Sequence, residues 1–340
     1  MRMGILDIGS QGTHLDVLRL RAGRPLQVLA VAKRPNRLAA SIKLDGTIEA
    51  DGIERLVASI RSALRAARRE GLDELIAFGT SSIRDAPNRA EVRDRIAESC
   101  RIDLGFLSGE HDALLTYRGA REWAGGEAAS LFVADIGGGT LELAAGDARK
   151  PYWAVSLPLG ARRLTRDCLP DDPPKPKHVE RLRSQLSRDL AELIADSSRC
   201  TVGSPQDALV LATSKTLAQL AALTGGRDAQ SRPAITRRAL RRHVPRLARM
   251  HSTERADLDG VSAGRAPQIL AGALVAEAVM DAFDLPCLTV CPWALREGIA
   301  LTRRLPLDAA HGDRSARAAL ERNQVAELVK ALDDLRTPVG

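Results

Sequence analysis

The sequence predicts an α/β protein built from two tandem domains with the same order of elements. The chain has 340 residues, more than one ordinary domain needs. LDIGSQGTHLDVL at 6–18 matches ADIGGGTLELAAG at 134–146, and ELIAFGTSSIR at 74–84 matches ALVLATSKTLA at 208–218. These matches lie 128 and 133 residues apart, measured from Asp7 to Asp135 and from Thr80 to Thr213. A near-constant separation across distant blocks indicates an internal repeat.

Composition limits the classes of protein that fit. Hydrophobic residues make up 44% and charged residues 27%, and no apolar run reaches the length of a membrane span. The N-terminus MRMGILDIGS lacks the features of a secretion signal. The five cysteines have no C-x-x-C spacing, which argues against a disulfide framework or a zinc site. We expect a cytoplasmic protein without a membrane partner.

The charge balance points to anionic partners. The formal net charge is +7 and the isoelectric point is about 9.5, which favours nucleic acid, polyphosphate or nucleotides. Aromatic residues are only 3%, too few for the stacking platforms of single-strand binding, so we expect no nucleic-acid partner. A basic run from Arg61 to Arg69 lies on a predicted amphipathic helix and is explained as a solvated face.

The first half predicts a small meander followed by alternating helices and strands. Strands are expected at Met3–Asp7, Thr13–Leu20, Leu26–Ala32, Glu74–Gly79 and Ile102–Leu107. Helices are expected from Asp51 to Gly71, from about Asn88, and after the stretch SGEHD at 108–112.

The second half repeats this order. Strands are expected at 131–135, after the glycine triplet, and at Tyr152–Leu157, Asp207–Ala212 and Leu288–Cys291. Helices are expected after Gly160, and at His178–Ala195, after Lys215, and at Thr236–Met250, Ala266–Phe283, Trp293–Arg304 and about Val325–Leu335. Pro170–Pro176 is predicted to be a surface loop.

This order is that of the ribonuclease-H-like half-domain, found twice in proteins of the actin, sugar kinase and acetate kinase type. There, two Asp-Gly loops face each other across an interdomain cleft that holds the active site. We therefore expect a first domain at 1–124 and a second at 125–291. Residues 292–304 would form a helix that returns to the first domain, and 305–340 a charged, partly helical tail without an active-site role.

Several short blocks of the sequence carry a family pattern: DIGS at 7–10, TSSIRDAPN at 80–88, SGEHDA at 108–113, DIGGGTLE at 135–142, LPLGARRLT at 157–165, GVSAGRAPQILAGALVAEA at 260–278 and PWALREG at 292–298. Together they resemble the exopolyphosphatase/guanosine pentaphosphate phosphohydrolase family, nearest its short actinobacterial exopolyphosphatases. The resemblance implies the two-domain actin-like fold, dependence on Mg²⁺ with Mn²⁺ as a substitute, and commonly a homodimer. It also implies release of terminal phosphate from inorganic polyphosphate or from the alarmone pppGpp.

The chain departs from the family pattern at three places. Gln11 follows DIGS where the family usually has Asn, and Thr140-Leu141 stands where Ser and Thr usually precede the Glu. The family's catalytic Glu falls on Asp112, which keeps the carboxylate but shortens its reach by one methylene. Because proton transfer needs heavy atoms within about 2.6–3.2 Å, this change bears directly on turnover.

The two glycine turns supply the expected phosphate ligands. Backbone amides can approach an anion closely where no Cβ intervenes. We expect the phosphate-binding residues to be Gly9, Ser10, Gln11, Ser82, Gly137, Gly138, Gly139, Thr140 and Lys215. Asp7, Asp135 and Glu142 are the expected Mg²⁺ ligands, because Mg²⁺ takes few carboxylates and keeps several waters. A plain hairpin with a glycine-rich turn is the alternative for either motif alone.

The expected catalytic residues are Asp112, Arg84, Asp135 and Glu142. Asp112 would be the general base for water, or else only an acid that stabilises a helix N-terminus. Arg84 could bind phosphate bidentately, or form a surface salt bridge with Asp85 or Asp94. Lys215 is equally explained as a plain turn lysine.

The function expected from the sequence is a Mg²⁺-dependent exopolyphosphatase that prefers short chains, since the extra channel domains of larger members are missing. Hydrolysis of pppGpp is the first alternative, and ppGpp is a further expected partner. A kinase or ATPase of the same fold would need an adenosine pocket, for which the sequence gives no clear sign. A polyphosphate- or alarmone-binding regulator with weakened catalysis is the non-enzymatic alternative.

Overall fold

The computed structural model describes residues 1–43, 45–125, 129–147, 150–196 and 208–337. They form two compact units, Met1–His111 together with Arg296–Gly340, and Asp112–Leu295. Asp207, the expected start of a strand, and Cys200 lie outside the described residues. Each unit is an α/β layer structure with its own sheet and core, as the repeat predicts.

The first unit is built on a sheet in the order β12-β4-β1-β2-β3, with β5 beside β4. Its strands are β1 Arg2–Ile8, β2 Gly12–Arg19, β3 Gln27–Pro35, β4 Glu74–Gly79, β5 Gly105–Phe106 and β12 Arg336–Thr337. Its helices are α1 Ala50–Ala67, α2 Ser81–Arg84, α3 Arg89–Cys100, α11 Leu295–Ala310, α12 Arg314–Leu320 and α13 Asn323–Asp333, while α4, Gly109–Ala124, begins here and continues into the second unit.

The strand pairing of the meander and the apolar face of the first helix follow from the sequence pattern. β1 and β2 pair antiparallel through a tight glycine turn, and β4 then joins β1 in parallel, which requires a crossover supplied by α1. Ile53, Leu56, Val57 and Ile60 fall on one face of α1 and are buried in the core with strand residues. The predicted strand Ile102–Leu107 was too long, since only Gly105–Phe106 pairs with β4.

The C-terminal segment is an integral part of the first unit. α11 continues past Arg304 to Ala310, and β12 pairs antiparallel with β4 at the edge of the sheet. Arg303 Nε lies 2.9 Å from Glu74 Oε1, and Arg303 Nη1 lies 2.7 Å from Asp333 Oδ1. The description of residues 305–340 as a tail missed α12 and β12, because neither short element has a strong periodic pattern of its own.

The second unit is built on a sheet in the order β10-β11-β9-β6-β7-β8. Its strands are β6 Ser130–Ile136, β7 Leu141–Asp147, β8 Pro151–Leu157, β9 Leu209–Ala212, β10 Ala234–Thr236 and β11 Cys287–Val290. Its helices, besides α4, are α5 Ala161–Cys168, α6 Pro176–Asp196, α7 Lys215–Thr224, α8 Arg237–Leu247, α9 Ser252–Ala256 and α10 Ile269–Ala282. The sequence patterns missed β10 and α9, which are three and five residues long.

Packing explains where the second unit begins. Tyr117, Ala120 and Ala124 of α4 are buried against β6 and β7 residues of the second sheet. The structural boundary therefore falls at residue 112, where the sequence placed it at 124. α10 is apolar on nearly all sides because it is enclosed by α5, α6, α7 and α8. None of the helices in the described ranges is long and apolar enough to cross a membrane.

Candidate phosphate and metal site

The second glycine turn joins β6 to β7 and brings two carboxylates side by side. Asp135 pairs directly with Glu142 in the antiparallel register. The Gly137 N–H donates to the Thr140 carbonyl at 2.9 Å and closes the turn. Because directly opposed side chains lie on the same face of a sheet, both acids stand beside the turn.

The N-terminus of α5 holds this turn in place. The Ala161 N–H donates to the Gly137 carbonyl, and the Arg162 N–H to the Gly138 carbonyl, each at 3.0 Å. Gly160 permits this approach, since a Cβ there would lie 2.2 Å from the Gly139 carbonyl carbon. The helix thus binds the carbonyl oxygens of the turn. An anion would instead be bound by backbone N–H groups.

Negative charge is concentrated around Glu142, whose side chain is 6% exposed. Burial raises the pKa of Glu142 well above its usual value, and the charges of Asp112 and Asp135 raise that pKa further. Hydrogen bonds from Thr140 and from Ser156, at 2.8 Å, oppose the shift. The second unit therefore brings together Asp112, Asp135 and Glu142, although Asp112 precedes Glu142 by 30 residues in the sequence.

Thr213 is a further member of this site that sequence reasoning missed. Its hydroxyl donates to Asp135 Oδ2 at 2.5 Å, and its N–H donates to the Ala134 carbonyl at 3.1 Å. The signal was present in the repeat, which aligns Thr213 with Thr80 at the end of the matching strand. Thr213 fixes the direction in which the Asp135 carboxylate points.

The residues around Asp135 and Glu142 fit a magnesium ion with a water-rich shell. Oxygen ligands from one or two carboxylates are what Mg²⁺ prefers. A divalent cation would also offset the mutual repulsion that raises the pKa of Glu142. Within the described ranges, no group of three or more His, Cys, Asp or Glu side chains is arranged to hold a metal. A full protein cage is therefore not expected. Asp7 belongs to the other unit, and its role as a ligand stays a prediction.

Asp112 lies in the first turn of α4, and Lys215 is the first residue of α7. Thr116 donates to Asp112 Oδ1 at a long 3.4 Å. Asp112 is partly exposed and close enough to Glu142 to influence its pKa. Lys215 is exposed and follows Ser214, which caps α7 by accepting from the Leu217 N–H at 3.3 Å.

The first glycine turn has the same closure as the second. The Gly9 N–H donates to the Gly12 carbonyl at 3.0 Å. Asn36, which is 1% exposed, donates from Nδ2 to the Gly9 carbonyl at 2.9 Å, and the Ala39 N–H donates to the Ser10 carbonyl at 2.8 Å. The Gln11 carbonyl accepts from the Asn36 N–H at 3.2 Å. Sequence reasoning missed Asn36, since nothing in its local pattern shows that it reaches the turn.

Asp7 stands in a different electrostatic setting from Asp135. The residue paired with it across the strands is His14, at the position that Glu142 takes in the second unit. Arg296 contacts the His14 ring, donates to Asp16 Oδ2 at 2.8 Å, and places its Nε 4.0 Å from Asp7 Oδ2. Burial opposes ionisation of Asp16, but the hydrogen bond with His14 and the charge of Arg296 outweigh it and lower the pKa of Asp16.

Arg84 and Ser82 lie on α2, directly after β4. Arg84 Nε is 3.0 Å from Asp85 Oδ1, and Nη1 donates to the Leu107 carbonyl at 3.2 Å. The salt bridge considered as an alternative for Arg84 is therefore formed, with Asp85. The expected role of Arg84 in binding phosphate stays a prediction.

Two α/β units with matching glycine turns define a protein of the two-domain actin-like class. The sequence profile of the Ppx/GppA phosphatase family matches residues 17–306. The chain belongs to the Ppx/GppA phosphatase family, which confirms the family recognised from the sequence and the expected enzyme class of phosphate-releasing hydrolases.

Similar proteins cover nearly the whole chain. Exopolyphosphatase 1 of Mycobacterium tuberculosis is 40% identical over 336 residues, which are 98% of this chain and 95% of that protein. The crystal structure of the Aquifex aeolicus Ppx/GppA family member is 24% identical, with a TM-score of 0.72 over 90% of this chain and 98% of that one. An exopolyphosphatase from Cytophaga hutchinsonii is 21% identical, with a TM-score of 0.77 over 89% and 98%. The actin-like fold is confirmed.

Proposed function

We propose that the protein is an exopolyphosphatase, which releases terminal orthophosphate from inorganic polyphosphate with the help of Mg²⁺. The observation that carries the proposal is the buried Glu142, grouped with Asp112 and Asp135 beside a glycine turn whose carbonyls accept hydrogen bonds from the start of α5. The relative at 40% identity that bears the name exopolyphosphatase 1 supports the choice of substrate.

The second unit supplies what phosphoryl transfer requires, namely positioning and charge compensation. The Gly137 N–H already donates to the Thr140 carbonyl, so the N–H groups of Gly138, Gly139 and Thr140 would donate to oxygens of the terminal phosphate. Asp135 and Glu142 would hold Mg²⁺, which when bound offsets the negative charge of the phosphate chain. Thr213 keeps the Asp135 carboxylate in one orientation for that task.

Asp112 would act as the general base. A water oxygen attacks the terminal phosphorus as the bond from that phosphorus to the bridging oxygen breaks. The water proton passes to the Asp112 carboxylate, and the shortened chain leaves with the bridging oxygen as a phosphate oxygen. Asp112 is partly exposed in the first turn of α4, and Thr116 donates to its Oδ1 at 3.4 Å. The Asp112 side chain is one methylene shorter than that of the family's Glu, which predicts modest turnover.

The proposal includes a preference for short chains, a cytoplasmic location and a homodimer, of which the homodimer rests on the family resemblance. Phosphate release should be measured side by side from tripolyphosphate, long-chain polyphosphate, pppGpp and ATP, with Mg²⁺ and with EDTA. We expect fastest release from short polyphosphate with Mg²⁺ present. Faster phosphate release from pppGpp would instead show that the protein is an alarmone hydrolase. Binding of polyphosphate or pppGpp without phosphate release would show that the protein is a regulator.

Two variants separate the catalytic role of Asp112 from a helix-stabilising one. Asp112→Asn should lower turnover at least tenfold, because general bases are typically worth about 10²–10⁴ in rate. Glu110→Gln is the matched control, since it removes an exposed acid from the same first turn of α4. Equal losses in both variants would remove Asp112 from the base role.

A further inference from the structure

Helix α8 carries an unusual concentration of one charge. Between Asp228 and Glu254 the chain has seven arginines and no acidic residue. Leu240, Val244 and Leu247 form the buried face of the helix. Arginines occupy the opposite face, so the positive charge is sorted to one side of a surface helix.

Four of these arginines form a line, which we term the α8 arginine stripe: Arg238, Arg242, Arg246 and Arg249. All four are exposed, and their spacing of four, four and three residues stacks them along the helix and the turn that follows it. The line extends for about 16 Å at 1.5 Å per residue. Among the described residues, none of the four lies within 4.0 Å of a carboxylate, whereas neighbouring Arg237 and Arg241 pair with Asp284 and Asp281 at 2.8 and 2.7 Å.

The stripe opposes the stability of its own helix. Like charges three and four residues apart repel each other, and cations in the first turn oppose the helix dipole. Arg237 and Arg238 occupy that first turn, which contains no acid. A bound polyanion would reverse both unfavourable effects. An open depression of about 500 Å³ at this end is lined by Thr236, Arg237, Arg238, Arg241, Arg242 and Pro286, without a carboxylate.

The stripe is separate from the candidate phosphate and metal site. Thr236, which caps α8, pairs with Cys287 at the first residue of β11. The parallel strands β6, β9 and β11 have their carboxyl ends at the opposite side of the sheet, where Ala134 is followed by Asp135. The start of α8 therefore lies at the amino ends of these strands, and the glycine turn lies at their carboxyl ends.

We propose that the α8 arginine stripe is a second binding site for inorganic polyphosphate, engaging several consecutive phosphates of one chain. Guanidinium groups suit this ligand, because they pair bidentately with phosphate oxygens and keep their charge. A linear polyanion matches a linear array of cations, and each neutralised phosphate releases counterions. Single-stranded nucleic acid fits less well, since residues 229–253 contain no Phe, Trp or Tyr on which bases could stack. The choice of polyphosphate among polyanions rests on the proposed function.

The test compares two triple variants that remove the same charge from different surfaces. Arg238→Gln/Arg242→Gln/Arg246→Gln changes the stripe, and Arg61→Gln/Arg65→Gln/Arg69→Gln changes exposed arginines at the end of α1 and just beyond it. Binding of long-chain polyphosphate and of tripolyphosphate is measured with EDTA present, at several salt concentrations. Thermal unfolding of each variant checks that it is folded. Release of phosphate from tripolyphosphate is measured separately with Mg²⁺.

We expect the stripe variant to bind long-chain polyphosphate at least tenfold more weakly, with a shallower salt dependence, and to hydrolyse tripolyphosphate at the normal rate. The α1 variant should bind long chains nearly as the wild type does. Equal losses in both variants would overturn the proposal, because the effect would then be non-specific. Binding of single-stranded DNA as tightly as polyphosphate of equal charge would also overturn it. If no polyphosphate is hydrolysed but the stripe variant alone loses binding, the proposed activity fails and the second site stands.

Discussion

Replacing Gly160 with Ala should disable the second glycine turn while leaving the fold intact. The added Cβ would lie 2.2 Å from the Gly139 carbonyl carbon and 2.3 Å from the Thr140 nitrogen. Carbon atoms in contact rest at about 3.5–4.0 Å, so the turn or the start of α5 must retreat by more than about 1 Å. That movement would weaken the hydrogen bonds from Ala161 and Arg162 to the carbonyls of the turn.

The expected magnitudes follow from these distances. Overpacking of this kind typically costs about 1–3 kcal/mol of stability. A displacement of about 1 Å in a positioning element can cost about 10²-fold in rate. We therefore expect turnover of short-chain polyphosphate to fall by about two orders of magnitude in the folded variant, a larger loss than the fraction unfolded can explain.

A matched control is available in the same sheet. A Cβ at Gly146 would meet the Lys150 carbonyl oxygen at 2.3 Å, an equally severe backbone clash. Gly146 pairs with Leu131, at the end of β6 and β7 remote from the turn. Gly146→Ala should thus lose similar stability but keep its activity per folded molecule. Steady-state kinetics and urea unfolding on both variants make the comparison. Normal turnover in folded Gly160→Ala would refute the idea that α5 holds the turn in its working geometry.

Two further predictions concern residues that position carboxylates. Thr213→Val should lower turnover about tenfold and raise the Mg²⁺ concentration needed for half-maximal rate, because the Asp135 carboxylate loses the hydroxyl donor at 2.5 Å. Thr213→Ser keeps the hydroxyl and should keep both values near those of the wild type. An unchanged Mg²⁺ dependence in the valine variant would contradict this role of Thr213. Asp16→Asn should cost about 1–3 kcal/mol near pH 7 by removing charge-assisted bonds with His14 and Arg296. Because the folded pKa of Asp16 lies below the unfolded value of 3.8, this stability is present above that pH and is lost as the pH falls through the folded pKa. Urea unfolding between about pH 3 and 7 should show the two proteins converging at the acid end, and a constant difference would contradict the assignment.

Much of the fold could be read from pattern. Strong local signals placed β4 at Glu74–Gly79 and the long helix that begins near Asp51. Weak elements were missed, because β10 and β12 depend on strand partners that are distant in sequence and α12 is only seven residues long. β12 forms only because Arg336 and Thr337 find the free edge of β4 more than 250 residues earlier in the chain.

The carboxylate site was likewise predicted only in part. The glycine turn and Asp135 could be recognised from the local sequence, because the residues that form a tight turn are neighbours in the chain. Asn36 and Thr213 were not, because their contacts with the turns depend on how separate strands end side by side. The structure groups α4 from Asp112 onward with the second unit, and the length of a helix does not show on which sheet it packs.

Residue identity and spacing are enough to establish the repeat, the two glycine turns and the family. The different electrostatic settings of the two halves become visible only in the folded chain. At matching positions opposite an aspartate, one half has Glu142 among carboxylates and the other has His14 beside Arg296. Residue spacing cannot reveal this difference, since Asp112 and Arg296 reach their partners only when the chain folds. The interaction between two charged groups depends on the distance between them in space, and folding sets that distance.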